Sequence, residues 1–148
     1  MARFHFRLEP VLQHRAAREE AAEQALAQAR REYNRRLALL EDTRQRLEAA
    51  SFAAARENMD VFEEMHLHFY RMSLKGRMAV QEKSVKTAGH TVEKRRSEVI
   101  KARQERQVME KLKERQLQNF NHEMAVKEQK EMDELAGNAY RHRGGVMV

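Results

Sequence analysis

The residues able to do chemistry here are arginines, lysines, carboxylates and a few histidines. Cysteine is absent, which excludes disulfides, zinc thiolate sites and thiol nucleophiles, and suits a reducing compartment. His66 and His68 stand two apart, a spacing that sends them to different faces of a helix. Two solvated histidines is therefore the better reading than a chelating pair. His5, His14, His90, His122 and His142 are scattered. No glycine-rich nucleotide loop, no Gly-x-Ser-x-Gly elbow and no His-Glu-x-x-His zinc motif occurs. Carboxylates are plentiful, but nothing pairs two of them in a desolvated pocket. The sequence therefore predicts no enzyme, with no catalytic, cofactor or metal residue to assign.

Charge is more informative. Residues 71–115 hold 14 basic and 6 acidic side chains, a basic stretch within a chain of net charge +6. The ordinary use of such a stretch is a solvated helix face. A nucleic-acid role would set the same charges against phosphates, but no aromatics interleave for base stacking and no binding motif is present. An acidic protein surface is the third option. The densest apolar stretch is 61–74, with Val61, Phe62, Met65, Leu67, Phe69, Tyr70, Met72 and Leu74. These residues cover more than one face of a helix, so packing at one end of the fold can leave Phe69, Tyr70 or Leu74 outward. An outward group would be a docking surface.

The elements that carry these residues follow from composition. The 148 residues include 5 glycines and 1 proline, too few breakers for the turns of a sandwich, barrel or wound sheet. Charged residues make up 35%, aromatics 6%, and mean hydropathy is −0.89, so a large globular core is excluded. Good helix formers dominate. No window approaches the roughly 18 apolar residues of a membrane-spanning helix. The start, Met1-Ala2-Arg3-Phe4-His5-Phe6-Arg7, leads into no apolar h-region, so a secretory signal is not expected.

The series Leu12, Glu19, Leu26, Tyr33, Leu40, Leu47, Ala54 steps by seven, with one polar member. Such steps keep one stripe towards a partner helix. Pro10 sits just inside a helix start, where its missing N–H costs little. A first helix over about 8–57 follows, with a break at about 57–60. Asp60 then opens a second helix as N-cap, ahead of Glu63. Met78, Val85, Val92 and Val99 step by seven within it. Gly76 and Gly89 read as soft points or close-packing sites, and Gly137-Asn138 as a C-terminal stop. The prediction is an all-α fold over 1–136. Its two long helices form an antiparallel coiled-coil hairpin, the second helix about 60–136 and longer, followed by a flexible tail at 137–148. Arg15, Arg36, Arg95 and Arg106 fall at or beside the seam and weaken it.

Two segments resemble a known family. The start, Phe6-Arg7-Leu8-Glu9-Pro10-Val11-Leu12 with Arg15, then Glu19-Glu20-Ala21-Ala22 and Leu26-Ala27-Gln28-Ala29, resembles the opening of the bacterial flagellar export protein FliJ family. Leu112-Lys113-Glu114-Arg115 and Gln129-Lys130-Glu131-Met132-Asp133-Glu134-Leu135-Ala136 are similar to that family's later signatures. The resemblance implies a stalk of the flagellar type III export apparatus. Its partners would be the hexameric export ATPase, the cytoplasmic part of the membrane export gate, and export chaperones. It implies no cofactor and no small-molecule substrate, and a cytoplasmic place at the inner face of the cell membrane. By this carry-over Leu8, Leu12, Arg15, Glu19, Gln129, Asp133 and Glu134 are candidates for the ATPase-facing end. Phe69, Tyr70 and Leu74, with Leu39 or Leu40, are candidates for the gate-facing end. The alternatives are the equivalent stalk of a virulence secretion system, a basic coiled coil that binds nucleic acid, and a plain homodimeric coiled coil.

Overall fold

The computed structural model describes residues 3–144. It holds two helices, α1 at Glu9–Ala53 and α2 at Val61–Gly144, in the antiparallel helical hairpin the spacing predicts. The boundaries shift from expectation. Helix α1 ends at Ala53, four residues short of 57, as its last turn tightens. There Ala55 N–H bonds the Phe52 carbonyl at 3.2 Å and Arg56 N–H the Ala53 carbonyl at 3.3 Å. Asn58 then adopts φ 75°, a left-handed conformation that asparagine tolerates better than most side chains. Asp60 occupies the N-cap position, its carbonyl accepting the Glu64 N–H at 3.0 Å.

The stop expected at Gly137-Asn138 does not operate, because α2 runs through both to Gly144. A glycine cap needs a left-handed residue, and no described glycine has positive φ. Arg141, His142 and Arg143 in the last turn suit the negative end of the helix dipole. Of the expected tail, 137–144 is therefore helix, and 145–148 lies outside the described residues.

The chain divides into two compact units. In the unit Ala17–Arg103, burial follows two seven-residue series on each helix. On α1 they are Glu19, Leu26, Tyr33, Leu40, Leu47 and Ala22, Ala29, Arg36, Thr43, Ala50. On α2 they are Arg71, Met78, Val85, Val92, Val99 and Leu74, Gln81, Ala88, Arg95, Ala102. Every one of these is buried or half-buried, the pattern of a and d positions in a left-handed coiled coil. Leu26, Leu40, Leu74 and Val99 fill the seam, and Ala50, Ala88 and Ala102 let the backbones approach. Tyr33 lies against Gly89, where an added Cβ would stand 3.6 Å from its ring. Gly89 is thus a packing site, whereas Gly76 has nothing near it.

Polar groups are tied across this seam. Arg103 donates to Glu19 at 3.1 Å and to Glu23 at 3.2 Å. Arg36 donates to the Ser84 carbonyl at 3.2 Å. The hydrogen bonds it donates to Glu19, then to Glu23, raise the Arg103 guanidinium above its ordinary pKa.

The second unit joins Met1–Ala16 to Gln104–Val148. Here Phe6 is buried, and the rings of Phe4 and Phe120 meet at 5.6 Å between centroids. Lys113 pairs with Glu9 at 2.7 Å, and Arg15 with Glu105. The α2 series continues through Arg106, Lys113 and Phe120, all half-buried. Beyond Met124 every described residue is exposed. The positions that would continue the seam there are Lys127, Lys130, Glu134, Gly137, Arg141 and Gly144. Those residues offer a partner helix nothing to bury, which is why the segment stands as bare helix.

Candidate interaction surfaces

Two stretches of α2 lack an α1 segment beside them, and they differ in chemistry. The first is its opening. The contacts Glu19–Arg103 and Tyr33–Gly89 set residue i of α1 opposite roughly residue 122 − i of α2. Ala53, the last residue of α1, then faces Phe69, so 61–68 have only the connecting loop for company. On the helix surface away from the seam stand Phe62, Met65, Phe69 and Met72, at spacings of three, four and three. All four are exposed, Phe62 at 75% and Phe69 at 63%. Phe52 of α1, 84% exposed, is likewise off both seam series. One helix thus carries two apolar stripes, an inner one that holds the hairpin and an outer one that does not.

The gate-end candidates separate on this geometry. Phe69 and Tyr70 are exposed beside that outer stripe, and Leu39 is exposed on α1. Leu40 is 3% exposed and Leu74 is 2% exposed, so both are core. The expectation that Leu74 points outward is corrected: it occupies the series that also contains Ala88 and Ala102. By the register above, Leu39 faces Lys83, fourteen residues from Phe69 and so about 20 Å along the helix. The candidates therefore do not form one patch. Phe52 went unnoticed in sequence. Its position outside both seven-residue series of α1 was the available signal.

The second stretch is 125–144. Gln129, Asp133 and Glu134 lie on it and are exposed. Leu8 is exposed ahead of α1, with its carbonyl accepting the Leu12 N–H at 2.9 Å. Leu12 is half-buried, and half-buried Arg15 pairs with Glu105. Glu19 is buried against Arg103 and belongs to the other unit. The structure therefore does not gather the ATPase-end candidates. Leu8, Leu12 and Arg15 line the paired part of their unit, and Gln129 to Glu134 lie on its bare helix. Val126, Met132, Leu135 and Tyr140 are the large apolar side chains of that segment, each exposed among alternating charges.

The grooves along the hairpin are lined by charged side chains beside small and apolar ones. Among the described residues no group of histidines and carboxylates could hold a metal ion. His66 and His68 are exposed, and the His68 ring packs edge-on against Phe69, 5.9 Å between centroids. No described helix is long and apolar enough to cross a membrane.

The class of protein is thus a long antiparallel helical hairpin with a thin, polar seam and bare helical stretches on its second helix. The chain belongs to the flagellar FliJ protein family, which it matches over residues 4–145. Membership makes it a non-catalytic component of flagellar type III protein export. Its fold is also that of a YscO homologue from Chlamydia trachomatis. That likeness has a TM-score of 0.58 at 18% identity and covers 98% of this chain and 100% of that one. No individually curated protein is significantly similar to it in sequence.

Proposed function

We propose that this protein is the stalk that couples the flagellar export ATPase ring to the membrane export gate and handles export chaperones. It would act in the cytoplasm, peripheral to the membrane through the apparatus. The observation that carries this reading is the pair of unpartnered stretches on α2, of unlike chemistry. An aromatic and methionine stripe suits an apolar groove on one partner. A bare polar helix with sparse apolar residues suits insertion among charged surfaces of another.

In this reading Gln129, Asp133 and Glu134, with Leu8, contact the ATPase hexamer. Phe69 and Tyr70, with Leu39, contact the cytoplasmic part of the gate. Leu12, Arg15, Glu19, Leu40 and Leu74 serve both by keeping the two helices in register.

The test is ATP hydrolysis by the cognate export ATPase, titrated with this protein, while ring assembly is followed in the same samples. Hydrolysis and assembly are expected to rise and saturate near one copy per hexamer. Charge reversal at Asp133 and Glu134 should weaken that stimulation while the circular dichroism stays helical. No change in hydrolysis or assembly at low salt, with an ATPase shown to be active, would overturn the coupling mechanism.

A further inference from the structure

One flank of the seam in the unit Ala17–Arg103 breaks its own charge pattern. Arg44 pairs with Glu82 at 3.6 Å, and Glu23 pairs with Arg103 at 3.2 Å. Both pairs join e positions of the two helices, which face each other in an antiparallel coiled coil. The same step of seven between them sets Arg30 of α1 opposite Arg96 of α2. Two arginines thus meet one layer from the Glu23–Arg103 pair; the layer on their other side, Leu37 opposite Gly89, carries no charge, and Arg44–Glu82 follows it. Arg96 has Glu93 of its own helix at 3.5 Å, with both side chains largely exposed. Among the described residues Arg30 has no carboxylate partner.

The two arginines line a single groove of about 380 Å³ with Leu26, Ala27, Val99 and Ile100, and the paired Glu23 and Arg103 close one end of it. Leu26 and Val99 are buried and form its floor, while Ile100 is 50% exposed. An apolar floor beneath two like charges is complementary to one kind of occupant. It must bring methyl groups and carboxylates together, at helical spacing, along a helix-sized furrow. Guanidinium forks bind carboxylates in bidentate fashion, and one carboxylate between Arg30 and Arg96 would relieve their repulsion. Nucleic acid fits less well. Glu23 lies in the groove and Glu93 beside it, and no aromatic lines it for base stacking.

We infer that this groove is a docking site for an acidic amphipathic helix of a partner protein, laid along the hairpin as a third strand and clamped by Arg30 and Arg96. The inference stands on charge and groove chemistry and does not require the ATPase-coupling role. Seam charges of like sign select partners at the expense of the isolated hairpin. Arg30→Glu should therefore do two opposite things: raise the thermal midpoint by completing the acid–base pattern, and abolish docking.

Ile100 is the chain's sole isoleucine, so isoleucine methyl labelling of the full chain gives one NMR signal seated in the groove. The probe is a synthetic helical peptide with a leucine stripe flanked by glutamates. Its glutamine counterpart, inorganic phosphate and a short duplex DNA serve as comparisons. The acidic peptide is expected to shift the Ile100 methyl, the glutamine peptide to leave it still, and both Arg30→Glu and Arg96→Glu to weaken binding at least tenfold. Arg30→Gln, which keeps length without charge, should weaken it less. An unshifted methyl with the acidic peptide would overturn the proposal, as would unchanged binding by Arg30→Glu. An equal response to phosphate alone would reduce the groove to an anion site, and an equal response to duplex DNA would transfer it to nucleic acid. Either result also overturns it.

Discussion

The opening of α2 and its last twenty described residues both lack α1 beside them, for different physical reasons. At 61–68 the inner face still carries Leu67, half-buried, while a second apolar stripe opens outside with Phe62 and Met65 and runs on to Phe69 and Met72. At 125–144 the inner face itself has turned polar, and exposure follows from having nothing to bury. The first stretch is exposed because it has surplus apolar surface, the second because it has too little. Surplus apolar surface on a helix already packed on its other side asks for a partner. A polar helix with isolated apolar residues is held by whatever surrounds it and is the part most open to local unfolding.

The sharpest way to break this contrast is to cut each stripe of α2 in turn. Leu74→Ala should lower stability by about 2–5 kcal/mol, the usual range for a buried leucine. Phe69→Ala, on the outer stripe five residues earlier, should change it by roughly 0.5 kcal/mol or less. Urea unfolding followed by circular dichroism measures both. If Phe69→Ala costs as much as Leu74→Ala, the outer stripe belongs to the core and the docking reading fails.

Next in size is the polar tie of the paired region. Glu19 is buried, and Arg103→Ala removes a donor to it. The Arg103 side chain is half in solvent, so water can partly replace it, and the expected loss is smaller than that of Leu74→Ala. Arg103→Lys should recover only part of this, because one ammonium cannot reproduce the fork that reaches both Glu19 and Glu23. Full recovery in a thermal melt would show that charge alone matters there.

Much of this was legible in the residues. The step of seven from Leu12 to Leu47 placed the α1 seam, and Asp60 placed the start of α2. Of the parallel series Arg15, Ala22, Ala29, Arg36, Thr43, Ala50, only Arg15 and Arg36 were legible as seam neighbours, because small residues carry no hydrophobic period. Arginine half-buries its stem while its head reaches out, so it can occupy a seam without looking apolar. The site was legible in part. Leu39 and Leu40 are adjacent leucines, yet one is surface and one is core; the step of seven that includes Leu40 marks it as seam, and Leu39 falls outside it. Gly137-Asn138 read as a stop because a glycine cap is a backbone state, and sequence shows only that the state is permitted.

Glycine also separates the two stretches of α2. Gly76 and Gly137 both sit in helix with open space around a would-be Cβ. Alanine is favoured over glycine in a helix interior by about 1 kcal/mol. At Gly76, in the paired region, that gain is coupled to the cooperative unit and should raise the thermal midpoint. At Gly137 it should raise helical ellipticity at low temperature and leave the midpoint where it is, since little tertiary structure depends on that turn. A midpoint that rises with Gly137→Ala would mean the last stretch folds with the rest, and the contrast would collapse.

The smallest expected effect concerns acid. Glu32 accepts bonds from Arg35, at 3.0 and 2.8 Å, and from Arg36, at 2.9 Å. The hydrogen bond from Arg35, then that from Arg36, holds its carboxyl down at about 2, against an ordinary 4.5. A depressed carboxylate stabilises the fold only while ionised. Its contribution is complete above the unfolded value, near pH 4.5, and is lost as pH falls from there through about 2. The carboxylate is half-exposed and its partners lie on the surface, so the effect on stability is slight and salt-sensitive. Arg36 gives it structural reach, because the same guanidinium also holds the Ser84 carbonyl of α2. Thermal midpoints of the wild type and Glu32→Gln should differ slightly at pH 6 and converge by pH 2, with the gap shrinking in high salt. A gap that stays constant with pH would show that Glu32 acts through packing, and that the arginines of this paired region hold their positions without it.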